Sequence, residues 1–332
     1  MVSIKDIAAL TGYSVATVSR VINQSPKVSE EARRRVEEVI RSTDYHPNFI
    51  GRNLRSSASM KILMLLPTLD NTFFSDVLRG AGDAAMAAGY QIVVGVTNKK
   101  AEVEESYISM LRSCQVDGMV LTNTILDKFD LNRLAESYPV SLLSDIVEGA
   151  DLSCATIDHV AAAREATEHL ISLGHRRIGM VNGYYYRSLS IDRENGYRMA
   201  LEQAGLTYDP AQIIRTDYNF KGGYNAAKKL MTRKDPPSAI FCSADSMAIG
   251  AVRYLVNHGL DKQVSVVGFD NVQESEYFFN GISTIDQPKY ELGQQSVLLL
   301  LEKIQDIHAP SRRLILPHSL VVRGSSHPYQ GE

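Results

Sequence analysis

The chain has 332 residues, 44% hydrophobic and 22% charged, with no tryptophan and a formal net charge of −3. That length exceeds what one small core needs and predicts two or three domains, and the chain lacks the run of about 18 apolar residues that would span a membrane. No basic stretch followed by an apolar one opens the sequence, so a cytoplasmic rather than secreted protein is expected. Cys114, Cys154 and Cys242 are widely spaced and each sits in or beside an apolar stretch, the pattern of small buried hydrophobes in a reducing compartment.

The charge is unevenly spread. Residues 1–60 carry nine Lys/Arg against six Asp/Glu, and the rest carries 26 against 32. A small basic module on an acidic body suits a protein in which only the module meets phosphates.

In chain order, the first 45 residues predict three short helices and no strand. Ser3 with Asp6 forms a capping-box pattern ahead of Ile4, Ile7, Ala8 and Leu10 at helical spacing. Thr11-Gly12-Tyr13 ends that helix, Ser14 can cap a second over 15–23, and Ser29 with Glu30 and Glu31 opens a third whose buried side is Val28, Ala32, Val36, Val39 and Ile40. This is the helix-turn-helix arrangement. In the second helix Val18, Val21 and Ile22 face inward, which leaves Val15, Ala16, Ser19 and Arg20 outward. Val15 and Ala16 can touch a thymine methyl, and Arg20 can bond the O6/N7 edge of guanine. Ser3, Ser14, Thr17, Asn23 and Ser29 are short donors suited to phosphate contact. A bundle that docks another protein is the competing reading of the same helices.

Residues 46–60 are basic and serine-rich. Strand-like runs then follow over 62–66, 91–96, 117–121, 140–143, 177–181, 239–242 and 264–269. They alternate with helical segments over 73–88, 102–112, 160–173, 192–204, 222–231, 246–258 and 290–305. Such alternation predicts parallel sheets covered by helices, and about 260 residues is long for one sheet, so two lobes with a cleft between them are expected. Gly80-Ala81-Gly82 with Ala85 superficially fits a dinucleotide fingerprint. It falls mid-helix rather than directly after a strand, so helix packing explains it better.

The segment 4–29, together with Tyr45-His46-Pro47-Asn48 and Leu54, resembles the headpiece of the LacI/GalR family of repressors. The resemblance extends along nearly the whole chain through Asp70-Asn71-Thr72-Phe73-Phe74, Gly174-His175-Arg176-Arg177, Ser243-Ala244-Asp245-Ser246, Gly268-Phe269-Asp270-Asn271 and Ile285-Asp286-Gln287-Pro288. Phe241-Cys242 and the stretch 287–293 are most similar to the cytidine and purine branch. The resemblance implies an all-α helix-turn-helix headpiece (1–46), a hinge helix and linker (47–60), and an α/β periplasmic-binding-protein-like core (61–332) of two doubly wound parallel-sheet lobes. Those lobes are expected over roughly 61–160 with 290–312, and 161–289 with 313–325.

It further implies that Tyr45 contacts DNA and that 48–55, including Asn48, form a hinge helix that folds on the operator. Leu54 would be driven between central base pairs from the minor groove, with Arg55 lying along that groove. Gly51 stands where the family commonly has alanine, at a cost in helix propensity of up to about 1 kcal/mol. In the cleft, Phe73 and Tyr218 match aromatic residues that stack on the ligand. Arg193 matches an arginine that fixes a ring hydroxyl, Arg187 one used for a base-like ligand, and Asp270 a carboxylate that accepts from ligand donors. Asp245 reads as a cap for the helix it opens. Alanine at position 244, where sugar-responsive relatives often have asparagine, argues against a simple hexose.

The expected protein is thus a homodimeric DNA-binding regulator, most readily a repressor. Its partners are double-stranded operator DNA, near-palindromic in sequence, and a small effector (nucleoside, purine or sugar), with no membrane and no cofactor or metal. Whether the effector loosens or tightens the grip is open. After Arg323 the tail shows no leucine heptads, so the tetramer-forming coil of some relatives is not expected. The alternative is a solute-binding protein of a sugar or nucleoside transporter, which explains the lobes but not the headpiece. An enzyme is disfavoured: no phosphate-binding lysine loop, nucleophile-elbow serine or zinc-protease histidine pair is present, and His169 with His175 lacks a third ligand nearby.

Overall fold

A computed structural model describes residues 2–22, 25–43, 58–184 and 188–331. It comprises two compact units, Met1–Ala58 and Ser59–Glu332.

In the first unit, α1 (Ile4–Thr11), α2 (Val15–Ile22) and α3 (Glu30–Thr43) enclose a core of Ile7, Ala8, Val18, Val21 and Val36. Val28, Val39, Ile40 and Ile22 pack half-buried around it, as their helical spacing requires. The capping box of α1 is complete: the Ser3 N–H donates to Asp6 Oδ2 at 2.8 Å and the Asp6 N–H to Ser3 Oγ at 3.4 Å. These backbone and hydroxyl bonds hold the Asp6 carboxyl below its usual pKa. Gly12, at φ 74°, takes the left-handed turn that ends α1 and donates to the carbonyl of Ala8.

The second unit contains two sheets. The first joins β1 (Lys61–Leu66), β2 (Gln91–Val96), β3 (Gly118–Thr122), β4 (Val140–Leu143), β5 (Ser153–Ile157) and β11 (Arg313–Leu316) in the order β11-β5-β4-β3-β1-β2, all parallel. The second joins β6 (Ile178–Asn182), β7 (Ile213–Arg215), β8 (Ala239–Cys242), β9 (Ser265–Asp270), β10 (Ser283–Asp286) and β12 (Ser319–Val321) in the order β12-β10-β9-β8-β6-β7, parallel except for the β10–β12 pair. Helices α4 (Phe73–Ala87), α5 (Ala101–Arg112), α6 (Lys128–Ala135) and α12 (Lys289–Gln305) belong with the first sheet. Helices α7 (His159–Ser172), α8 (Ser188–Gln203), α9 (Phe220–Met231), α10 (Asp245–Asn257) and α11 (Gln273–Tyr277) belong with the second. Strands such as β1 and β9 are buried on both faces, which is why they read as unbroken apolar runs.

The chain passes between the lobes three times, through Asp158, Gln287-Pro288 and Pro317-His318. The stretch 313–325, expected with the second lobe, therefore divides. β11 pairs with β5 and covers the edge that β5 would otherwise expose, and only β12 onward joins the second sheet. The strands β5, β7, β10, β11 and β12 and the helices α6 and α11 were not anticipated; most are too short to carry a period. Cys154 and Cys242 are buried and burial raises both thiols, but Cys114 is exposed, contrary to expectation. It occupies the turn that ends α5, at φ 53°, where chain reversal rather than apolar neighbours sets exposure.

The glycines of the 80–82 segment serve helix crossing. A Cβ on Gly80 would lie 1.9 Å from the carbonyl oxygen of Tyr290, and one on Gly293 would lie 1.9 Å from that of Val77, so α4 and α12 touch backbone to backbone at both points. Gly82 faces open space. Gly80→Ala is accordingly expected to destabilise the core by roughly 3 kcal/mol through overpacking against backbone. Gly82→Ala should be neutral or stabilising by up to about 1 kcal/mol. Urea unfolding of the two variants, two residues apart, measures the contrast; equal midpoints would refute it.

Candidate functional site

On the first unit, the residues expected to meet DNA line one side of α2 and the caps beside it. Val15, Ala16 and Arg20 are exposed, with Thr17 and Ser19 half-buried. Ser14 Oγ accepts from the Thr17 N–H at 3.1 Å and lies 3.0 Å from its hydroxyl, which caps α2 and orients both hydroxyls together. Ser29 is exposed and accepts from the Ala32 N–H at 3.3 Å, and Ser3 is exposed at the start of α1. The backbone behind this face is held by Arg33, which donates to the carbonyl of Ser25 at 2.9 Å. Asn23, Tyr45, Asn48, Gly51, Leu54 and Arg55 lie outside the described residues, as does Arg187.

In the second unit, the carboxyl ends of both sheets border a cavity of about 380 Å³. Open parallel sheets bind ligands at this edge because loops leave there without blocking the strands. From the first lobe come Asn71 and Phe73 after β1, Asn98 and Lys99 after β2, Thr122 and Asn123 at the end of β3, and Ser144 after β4. The second lobe supplies Tyr184, Arg193, Asp217, Tyr218, Asn219, Asp270 and, from the crossover, Gln287.

Four of the five expected effector residues therefore meet in one cavity. Phe73 opens α4, buried edge-on against Phe74 with ring centroids 5.3 Å apart. Tyr218 closes the opposite side; its ring lies against Gly183, where a Cβ would come within 2.3 Å, and its hydroxyl is 2.9 Å from Ser190 Oγ. Arg193 is 4% exposed, its guanidinium carbon 3.8 Å from the Phe269 ring centroid. Its Nη1 donates to the carbonyl of Ser243, and Nη2 lies 3.5 Å from His159 Nδ1 and 3.8 Å from Asp270 Oδ1. Burial and the neighbouring Arg193 hold His159 well below the usual histidine range, so its ring is neutral and its Nδ1 can accept.

Asp270 closes β9 at φ 112°, followed by Asn271 at φ 50°, a pair of left-handed non-glycine residues. Lys289 Nζ donates to both of their carbonyls at 2.9 Å and Gln287 Nε2 donates to Asp270 Oδ1 at 2.7 Å, which holds this conformation. Burial raises the Asp270 carboxyl to about 6, with Arg193, Lys289, Gln287 and Asn71 pulling in the opposite direction.

Asp245 does not cap α10, which lacks a side-chain cap bond. Its carboxylate instead accepts from Ser275 Oγ and Thr284 Oγ1, each at 2.6 Å, and from the Val272 N–H at 2.9 Å, fastening the loop that carries Asp270. Burial, then the nearby Asp270, raises Asp245 to about 7. Both carboxyls bind a proton more tightly folded than unfolded, so the stability linked to them is present in full below about pH 4 and is lost as pH rises through 6 to 7. Thermal unfolding between pH 5 and 8 should therefore show stability falling with pH more steeply in the wild type than in Asp245→Asn. Parallel slopes would show that Asp245 titrates normally.

Contacts between the lobes include Thr72 Oγ1, which donates to Glu274 Oε2 at 2.7 Å, and Lys99 Nζ, which stands 3.4 Å from Asp217 Oδ1. The first-lobe wall, apart from Phe73, was not anticipated. Single Ser, Thr and Asn residues at strand ends carry no pattern along a sequence.

A capped helix-turn-helix unit and a two-lobed ligand-binding core in one chain define a DNA-binding regulator controlled by a small molecule. Residues 3–48 match the model of the bacterial regulatory proteins of the lacI family, and 59–323 match that of the periplasmic binding proteins and sugar-binding domain of the LacI family. The chain belongs to the LacI family. It is 34% identical over 328 residues to the HTH-type transcriptional repressor CytR of Escherichia coli K12, covering 98% of this chain and 96% of that one. It is 31% identical to the HTH-type transcriptional repressor PurR of Aliivibrio salmonicida, covering 98% and 99%. Among solved structures, the lac repressor dimer bound to operator and the anti-inducer ONPF superposes with a TM-score of 0.88 at 26% identity, covering 98% of this chain and 99% of that one. A transporter's solute-binding protein would not account for the regulatory segment at 3–48.

Proposed function

We propose that this protein is a cytoplasmic repressor that binds a near-palindromic operator as a homodimer and whose affinity is set by a nucleoside, purine or sugar in the interlobe cavity. The observation that carries this reading is the pairing, in one chain, of an exposed Val15-Ala16-Arg20 face with a cavity lined by the buried Arg193 and Asp270 and by the rings of Phe73 and Tyr218. Two-fold protein symmetry requires matching operator symmetry.

The second copy would cover the apolar patch around Phe220, Ile249, Tyr277 and Phe278, where Phe220 and Tyr277 are exposed. The lac repressor, similar over nearly its whole length, is described as a dimer. Closure of the lobes on ligand would alter the spacing of the two DNA-binding units, a coupling of about 1–3 kcal/mol. Selection of genomic fragments by the purified chain, followed by gel shifts with and without nucleosides, purines and sugars, tests the whole reading. No preference over random competitor at low salt would end it.

A further inference from the structure

We propose that Asp117 is a positioning residue for DNA binding: its carboxylate fixes where, and in which direction, the chain from the DNA-binding unit enters the first lobe, and so sets the half-site spacing that the protein accepts. The inference rests on the reading of this chain as a dimeric operator-binding regulator.

The first unit ends at Ala58 and the second begins at Ser59. At that point the Ser59 N–H donates to Asp117 Oδ1 at 2.6 Å and the Met60 N–H to Asp117 Oδ2 at 2.8 Å, so one side chain, 58 and 57 residues away, takes two successive amides. Met60 stands at φ 55° without being glycine and turns the chain just before β1. A left-handed non-glycine residue persists only where its surroundings hold it, and the two carboxylate bonds do so here. Beyond Met60 the chain is firmly placed: the Gln91 N–H donates to the Met60 carbonyl at 3.0 Å, and the Asp117 N–H to that of Lys61 at 2.8 Å.

The anchored point is rigidly joined to the cavity. β1 and β3 pair in parallel, with Ile62 opposite Gly118, and their carboxyl ends lead to Pro67, Thr122 and Asn123 of the cavity wall. The carboxylate clasp and the cavity thus occupy opposite ends of one pair of strands roughly 20 Å long. Gly118, next to Asp117, lies under α12: a Cβ there would come within 3.0 Å of Ile304 Cδ1 and 3.1 Å of Leu300 Cδ1. The amino end of the same helix carries Lys289, which holds the carbonyls of Asp270 and Asn271. Loss of the clasp would free the chain as far as Met60. Two freed residues add at most about 7 Å of reach per subunit. That is the rise of about two base pairs at about 3.4 Å each.

The test uses the full chain and a DNA fragment that it selects from random-sequence duplex, with two base pairs then inserted between the half-sites. The insertion should weaken the wild type about 100-fold, because only one DNA-binding unit of the dimer can then engage. Asp117→Ala should lose less than about 10-fold on the same insertion, since the freed reach lets both units engage. Its base preference within each half-site should stay that of the wild type. Asp117→Asn keeps one acceptor but turns a donor toward the other N–H, so it should fall between the two, and it serves the same comparison if the alanine variant does not fold. Hydrogen exchange supplies a second readout: the Ser59 and Met60 amides should exchange at least about 10-fold faster in Asp117→Ala, with those of Leu63 and Val120 unchanged. A purely structural role would move stability and leave the spacing preference alone. Equal losses in the wild type and a folded variant, a wild type indifferent to the insertion, or unprotected Ser59 and Met60 amides in the wild type overturns the inference. If the wild type selects no fragment at all, the regulator reading beneath the inference fails instead.

Discussion

Arg193→Met is expected to abolish effector control while leaving an operator-binding protein. The guanidinium is almost wholly buried, donates to the carbonyl of Ser243, stacks on Phe269 and supplies positive charge beside Asp270. Methionine can fill the space above Phe269 but leaves the buried Asp270 without its arginine. Breaking a buried pair from one side costs about 3–5 kcal/mol. Lys289 and Gln287 still serve Asp270, so the lower end of that range is expected.

Adding Asp270→Asn should restore most of the stability but none of the ligand affinity, since the cavity has then lost its two buried charged side chains. Thermal unfolding and calorimetry on the single and double variants separate the two effects. Effector affinity within threefold of wild type in the folded double variant would remove Arg193 and Asp270 from the site.

Arg20→Ala should produce the largest loss in DNA binding. Arg20 is exposed in the last turn of α2, outside the core of Ile7, Ala8, Val18, Val21 and Val36, so the three-helix unit should keep its stability. A bidentate arginine–guanine pair is worth about 1–3 kcal/mol of discrimination. A dimer uses it twice, so operator affinity should fall between roughly 30-fold and 10⁴-fold, with relaxed preference at one symmetric pair of base positions. Gel shifts at fixed salt, on operator and on variants at each position, read both. A uniform loss on specific and random DNA, with a shallower salt dependence, would instead make Arg20 a phosphate contact.

The parts legible in the sequence share a physical property: their determinants are local. Caps at Ser3, Ser14 and Ser29 act within three residues, and the helical spacing of Ile7, Val18, Val21 and Val36 marks one buried side per helix, so the three-helix unit could be drawn from the sequence. The longer strands of both sheets were visible as apolar runs because parallel strands are buried on both faces. Phe73, Arg193, Tyr218 and Asp270 were found only through resemblance to a family; nothing in their spacing along the chain says that they share a cavity.

What the sequence by itself determined is therefore the pair of modules, the outward face of α2 that carries Val15, Ala16 and Arg20, and the class of protein. Only the tertiary structure decided which strand edge β11 covers, that Asp245 fastens a distant loop instead of capping its own helix, and that Thr122, Ser144 and Gln287 stand together with unpaired polar atoms. These depend on partners far away along the chain, brought together at strand ends by sheet order. A single hydroxyl or carboxylate acquires its meaning from the groups that do or do not meet it there.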